Sequence, residues 1–411
     1  MKNIFAAAAL LLVHVAAAAA TEYEEDFRFA QQQIASRYAY FDLKATRWHE
    51  IPALYGPDAA SVRSKREFVS FLERVVDELY DHHAQLRTNT PASPRLVPSG
   101  TDLWAEWRGA TAVVIEVRRA SDASRAGIRA GDEVRSINGA PIGQAVEARM
   151  GRTYPHSTAA ARDWALRCVL AGIHDTAREL EVERRGVRRT VELPARDQFR
   201  GSPEKRLTAS RLPSGIGLIV INDSLGHRSA IDDFDEALAR LRDAPALVID
   251  LRDTPGGGNS TVARGILGRF VERETPYQKH VQPAEERDTG IRRSWLELVS
   301  PRGPFRFTKP VAILVDHWTG SMGEGLAIGF DAAAGATLVG TRMAGLLGAT
   351  ETIVLPKTGI AINVPAERLY HVNGTPREAT VPSVDVDLAG SDPEEDVVLR
   401  KAVEVLNGRM R

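Results

Sequence analysis

Two stretches of this chain pair a buried strand with a tight turn of small residues, and each turn could act on a carbonyl group. The first runs Val311-Ala312-Ile313-Leu314-Val315 into Asp316-His317-Trp318-Thr319-Gly320-Ser321-Met322-Gly323-Glu324-Gly325. A strand that enters such a turn and leaves as a helix would present the Ser321 hydroxyl above a sheet, at a helix N-terminus. Backbone N–H groups and the helix dipole can stabilise a developing oxyanion there. The same serine also reads as a helix N-cap, because Glu324 three positions on completes a capping box. On that segment alone the two readings stand level. The second stretch is Ala246-Leu247-Val248-Ile249-Asp250-Leu251-Arg252-Asp253-Thr254-Pro255-Gly256-Gly257-Gly258, a buried strand ending in glycines that let backbone approach a substrate closely. As a phosphate loop it is weak, since no Gly-Lys-Ser/Thr follows.

These turns need a layered scaffold, and the sequence supplies one. From about residue 205 strands alternate with helices, the mark of an α/β layer: strands at 216–221, 246–251 and 311–315, helices at 231–241, 258–271 and 321–334. Residues 272–307 show no clear period. Ahead of this layer, residues 22–90 read as helical, with Phe68, Phe71, Leu72, Val75, Val76 and Leu79 at helical spacing. A Pro- and Ser/Thr-containing linker, Thr88 to Pro94, leads to short strands at 112–117, 133–137, 180–184 and 189–193. Within these, Ser124-Arg125-Ala126-Gly127-Ile128-Arg129-Ala130-Gly131-Asp132 reads as a short helix ending at Gly131. Asn138-Gly139 reads as a hairpin turn.

Composition narrows the classes further. The 411 residues hold 53 basic and 54 acidic side chains, so nothing points to nucleic acid or an anionic membrane surface. The apolar fraction of 43% fits a globular protein with a sizeable core. Lys2, the apolar run Ile4–Ala20 and the polar run that follows predict a secretory signal peptide over residues 1–20 and an exported protein, periplasmic or extracellular. A retained anchor is the alternative reading; after cleavage no membrane insertion is expected. Cys168 is the single cysteine, which rules out an internal disulfide and reads as a buried structural thiol. No metal-ligand spacing is visible, and no cofactor is expected.

Together the two turn segments resemble the C-terminal processing (tail-specific) serine protease family, whose pattern is a strand, Asp-Leu-Arg, Pro-Gly-Gly, then Thr-x-Ser-x-x-Glu. The resemblance extends over nearly the whole chain after the leader. It implies a multidomain α/β protein: an N-terminal helical domain at 21–92, a PDZ-like β-rich domain at 98–198 and a crotonase/ClpP-like α/β serine peptidase core at 205–405. Residues 124–142 carry the likeness to a PDZ domain, which would take a peptide C-terminus as an added strand or merely space two domains. The resemblance further implies Ser321 as nucleophile and the N–H groups of Gly257 and Met322 as the oxyanion hole.

One departure reshapes the expected mechanism. Many members pair the serine with a lysine, and the matching segment here, Gly340 to Leu347, holds Leu346 at that position. Lys357 lies in what reads as an exposed hairpin turn. A tricorn-like branch uses histidine instead, and Leu79-Tyr80-Asp81-His82-His83 matches its Asp-x-His segment, with His83 in the histidine position and His82 the lesser candidate. Imidazole suits a general base near neutrality. In the same branch a glutamate orients the imidazole, and Glu378 falls at its place, although Ser383 stands where the branch has aspartate. The expected activity is therefore hydrolysis of peptide or unfolded protein substrates through an acyl-enzyme, using Ser321, His83 and Glu378. A catalytically inactive peptide- or ligand-binding relative, or a PDZ-type adaptor with a structural core, is the alternative; an acyl-CoA enzyme of the crotonase type is remote. Oligomeric state is not legible.

Overall fold

The computed structural model describes residues 20–153, 158–195, 205–222, 225–391 and 395–411, so the expected signal peptide lies outside the described residues except for Ala20. At its centre is a six-stranded sheet ordered Val384–Asp385, Thr337–Gly340, Val311–Val315, Leu247–Asp250, Gly217–Ile221, Leu207–Arg211. Neighbouring strands are parallel except for the last pair, and Ile249 faces Ile313 in the register. Leu247–Ile249 and Val311–Val315 are unbroken apolar runs because both faces of the sheet are covered. Val311, Ile313 and Val315 pack with the helices Ser229–Arg240, Ser260–Leu267 and Met322–Ala334 on one side. Ala312 and Leu314 meet the helix Val397–Arg409 on the other, as the two-residue period of a strand requires.

The stretch without a readable period holds two strands, Thr275–Gln282 and Arg293–Val299, joined by the helix Pro283–Thr289. They pair with each other, and the first pairs with the long strand Ala361–Tyr370, whose hairpin partner is Ala349–Val354.

The N-terminal helices Glu22–Arg37, Ile51–Ser61 and Lys65–Asp77 bury Phe27, Ile34, Phe68, Phe71, Leu72 and Val75. That core continues without a break into Ile353, Leu355, Ile360, Ile362 and Val364 of the hairpin. The helical segment is thus seated on an element nearly three hundred residues downstream, and Lys357 at the hairpin tip pairs with Glu25 at 2.8 Å.

Residues 103–193 form a separate antiparallel sheet ordered Leu103–Arg108, Thr111–Val117, Glu133–Ile137, Arg178–Arg184, Val187–Leu193, with the helices Ile142–Arg149 and Ala159–Ala171 packed on it. Asn138 and Gly139, at φ 50° and 78°, make the two-residue turn read from the sequence. The short helix ends earlier than that reading had it, at Arg125, with Gly127 and Gly131 both at positive φ in the loop beyond. Among the described residues no helix is long and apolar enough to cross a membrane.

Candidate active site

Ser321 sits between the strand Val311–Val315 and the helix Met322–Ala334 at φ 52° and ψ −115°. For a side-chain-bearing residue this is a strained conformation, one that persists only where neighbours over-determine it. The constraint is visible. Gly320 N–H donates to Thr254 O at 3.0 Å, and Thr319 Oγ1 donates to Leu251 O at 3.0 Å, fastening the serine turn to the end of the neighbouring strand. A Cβ on Gly320 would lie 2.6 Å from Pro255 O, and one on Gly258 would lie 2.3 Å from Met322 Cβ. The two turns fit only because those positions lack side chains. Gly256 passes so close that its Cβ would sit 3.1 Å from that of Ser321, and Gly257 follows in the left-handed region at φ 61°. Among the described residues the N–H groups of Gly257 and Met322 meet no protein acceptor.

The serine hydroxyl faces His83. Nε2 lies 3.0 Å from Ser321 Oγ, across 238 residues of sequence. His83 is 7% exposed and follows the last N-terminal helix by a turn in which Tyr80 takes φ 46°. Asp81 fixes that turn: one carboxylate oxygen accepts from His83 N–H at 2.9 Å, the other from Tyr38 Oη at 2.8 Å. Burial, and then the nearby Arg377 guanidinium, push the imidazole down to about 4. His82 points elsewhere. It stacks on Trp164 with ring centres 5.9 Å apart and accepts from Arg167 Nε at 3.3 Å.

The other imidazole nitrogen corrects one expectation. His83 Nδ1 lies 2.6 Å from the backbone carbonyl of Leu347, so the acceptor that orients the ring is main chain and not the Glu378 carboxylate. Glu378 is close by in the fold, half-buried, with Oε2 lacking a partner among the described residues. Burial raises its pKa above the usual carboxylate range. No bond to His83 is made. The physical reason lies in the segment that holds Leu346 at the position expected for a lysine. Gly345 and Gly348, at φ 68° and 51°, turn the Leu347-Gly348 peptide so that its carbonyl meets the ring. Leu346 is 4% exposed and packs with Val97, Trp104, Ala171 and Trp318, its Cδ1 3.1 Å from where a Gly320 Cβ would stand.

Two buried residues bind these parts together, and sequence reasoning gave neither this role. Glu324 accepts from Ser321 N–H at 2.7 Å through one oxygen and from Gly345 N–H at 3.0 Å through the other. Burial pushes its carboxyl up to about 7. Arg377 donates from Nη2 to Leu346 O at 2.7 Å and to Gly348 O at 2.9 Å. The Glu324 position was visible as a capping box, but Arg377 reads as an ordinary loop cation.

The β-rich sheet also reaches the site. Glu116 accepts from His317 Nδ1 at 2.6 Å and from Thr341 Oγ1 at 2.8 Å, while Trp318 Nε1 donates to Thr101 O at 2.8 Å. Trp104 stacks on His317 at 4.7 Å and carries the Arg167 guanidinium 4.8 Å from its ring centre. Cys168, beside Arg167, is pushed up to about 12 by burial, a poor nucleophile. A cavity of about 750 Å³ opens between this sheet and the core, lined by Glu116, Arg119, Asp316 and Asp396 but not by Ser321 or His83. Among the described residues no cluster of His, Cys, Asp and Glu could hold a metal ion.

Residues 215–388, the layer that carries Ser321, match the sequence model of Peptidase family S41. The carboxy-terminal processing protease CtpB of Bacillus subtilis (strain 168) is 25% identical over 224 residues, 52% of this chain and 40% of that protein. The match therefore spans well under two thirds of that relative's length. Two solved structures share the fold. Mature CPAF superposes with a TM-score of 0.61 at 16% identity, over 94% of this chain and 95% of its own. The photosystem II D1 C-terminal processing protease gives 0.57 at 16%, over 94% and 97%.

Proposed function

We propose that this chain is an exported serine-type endopeptidase that cleaves peptides or unfolded protein tails through an acyl-enzyme. The observation that carries the reading is the 3.0 Å contact between Ser321 Oγ and His83 Nε2, made by residues from opposite ends of the sequence. An N-cap serine needs no imidazole, and a binding protein needs no strained serine facing one. In the first step Ser321 Oγ attacks the scissile carbonyl while its proton passes to His83 Nε2. The tetrahedral oxyanion would be held by the N–H groups of Gly257 and Met322. Collapse expels the amine, which takes the proton back from Nε2 and leaves an ester on Ser321. Water then repeats the sequence with His83 as base and frees the acid. Throughout, Leu347 O holds the Nδ1–H tautomer, the part usually given to a carboxylate.

The β-rich sheet is read as a PDZ-like module. Its outer strand, Leu103–Arg108, is the edge to which a peptide terminus would add. Trp107 N–H on that strand already donates to Asp163 Oδ1 at 2.9 Å, so an incoming tail would have to displace Asp163.

The test is mass-spectrometric analysis of a peptide pool, half with free and half with amidated C-termini, incubated with wild-type, Ser321→Ala and His83→Ala proteins. Cleavage lost in both variants is the expected result. Cleavage that survives Ser321→Ala sinks the reading, and preference for free termini marks tail capture.

A further inference from the structure

The segment that departs most from the lysine-using pattern, Gly345 to Gly348, is held by a side chain that touches no reacting atom. We propose that Arg377 is the positioning residue of the Ser321–His83 pair, clamping the carbonyls on either side of Leu347 so that the Leu347 carbonyl stays on His83 Nδ1. The inference rests on the Ser–His reading above and extends it to the residue that makes a backbone acceptor suffice.

Three observations converge on it. Arg377 is 2% exposed, and its Nη2 spans Leu346 O at 2.7 Å and Gly348 O at 2.9 Å. The intervening carbonyl is the one 2.6 Å from His83 Nδ1. A backbone carbonyl on a glycine-flanked loop is free to turn; one guanidinium nitrogen bonded to the carbonyls on both sides of it takes that freedom away. Gly348 cannot be replaced by a bulkier anchor, since a Cβ there would lie 1.9 Å from Glu367 O.

The same Nη2 is 3.7 Å from Glu324 Oε2, and Glu324 holds Ser321 N–H and Gly345 N–H. One buried cation thus borders both the anchor of the nucleophile and the platform of the base. Asp81 lies beside His83, and Glu324 and Glu378 beside Arg377, while the Lys44 ammonium acts on Asp81 and Glu378 and the Arg368 guanidinium on Glu378. Arg377 is second only to burial in holding the imidazole neutral, so its removal has an electrostatic signature that loss of packing lacks.

The experiment compares wild-type, Arg377→Gln and Arg377→Lys proteins, with thermal melts to establish folding. The rate of Ser321 phosphonylation by a fluorophosphonate is followed against pH, and the His83 Nδ1–H resonance is followed by NMR. Arg377→Gln is expected to lose about 10²-fold in rate, the cost of misplacing a catalytic group by about 1 Å. Its acid limb should move upward towards the ordinary histidine range, and its Nδ1–H resonance should be lost. Arg377→Lys keeps the charge and can donate to both carbonyls, so its limb should stay in place with a rate within about threefold of wild type. A folded Arg377→Gln protein with wild-type rate, limb and resonance overturns the proposal. If that variant does not fold, Arg377→Lys decides, and a folded lysine variant with a displaced limb and lost resonance overturns it equally. Should wild type fail to react at all, the peptidase reading falls. The NMR comparison then still decides on Arg377, because it needs no turnover.

Discussion

The base proposed for this site is unusually weak, and that makes its pH dependence diagnostic. Burial and Arg377 hold His83 at about 4, against an ordinary histidine value near 6.5. The base must be neutral to take the proton from Ser321, so activity is present above the folded pKa and is lost as pH falls through it. At pH 5.5 a group titrating at 4 is about 97% neutral, whereas one at 6.5 is about 9% neutral, a roughly tenfold difference in competent protein. The perturbation is the pH itself, lowered from 8 to 4, and the assay is the rate of covalent labelling of Ser321 by a fluorophosphonate, read by intact mass. That readout requires no knowledge of the substrate. The expected curve keeps most of its rate at pH 5.5 and is halved near pH 4. A shallower step of a few fold should appear near pH 7, where Glu324 gains its proton and loosens its hold on the N–H groups of Ser321 and Gly345. Glu324→Gln should remove that upper step and leave the lower limb in place. A single limb centred between pH 6 and 7 and unmoved by Glu324→Gln would refute the reasoning, because His83 would then be titrating as a solvated histidine.

Two further outcomes separate the parts of the site. Glu378→Gln should leave kcat/KM for a cleaved peptide within about tenfold, since the imidazole keeps its Leu347 acceptor; a fall of the order of 10⁴, typical of losing the orienting carboxylate, would return that role to Glu378. Leu346→Lys should not rescue His83→Ala, and should lower stability by several kcal/mol in denaturant titration, because an ammonium would be buried among Val97, Trp104 and Trp318.

The candidate nucleophile Ser321 was legible in the sequence because its signature is local. Five apolar residues, a small-residue turn and a capping glutamate occupy one stretch, and the strand with its glycine turn is just as compact. His83 could be named only through a family resemblance, since nothing in Asp81-His82-His83 itself says which ring faces a serine 238 residues away. The orienting acceptor was misassigned for a different reason. A main-chain carbonyl has no side-chain identity to read, and what aims it is a pair of left-handed glycines and an arginine from another loop. The strands at 275–282 and 293–299 escaped notice because their pattern is inverted: Gln278 and His280 are buried while Leu296 and Leu298 lie exposed.

On the proposed reading, the shared core between the N-terminal helices and the hairpin at 349–364 sets when the Ser321–His83 pair can form. A ribosome adding about 5–20 residues per second needs roughly 10–50 s to travel the 238 residues from His83 to Ser321. Even then the base lacks its seat, because Leu347 O and the strands that complete the helical core are still to be made. The growing chain therefore carries a histidine with no serine, then a serine with no placed histidine. If the proposed peptidase reading holds, the emerging chain is silent towards its neighbours, and towards itself, until the hairpin strands close over its first helices.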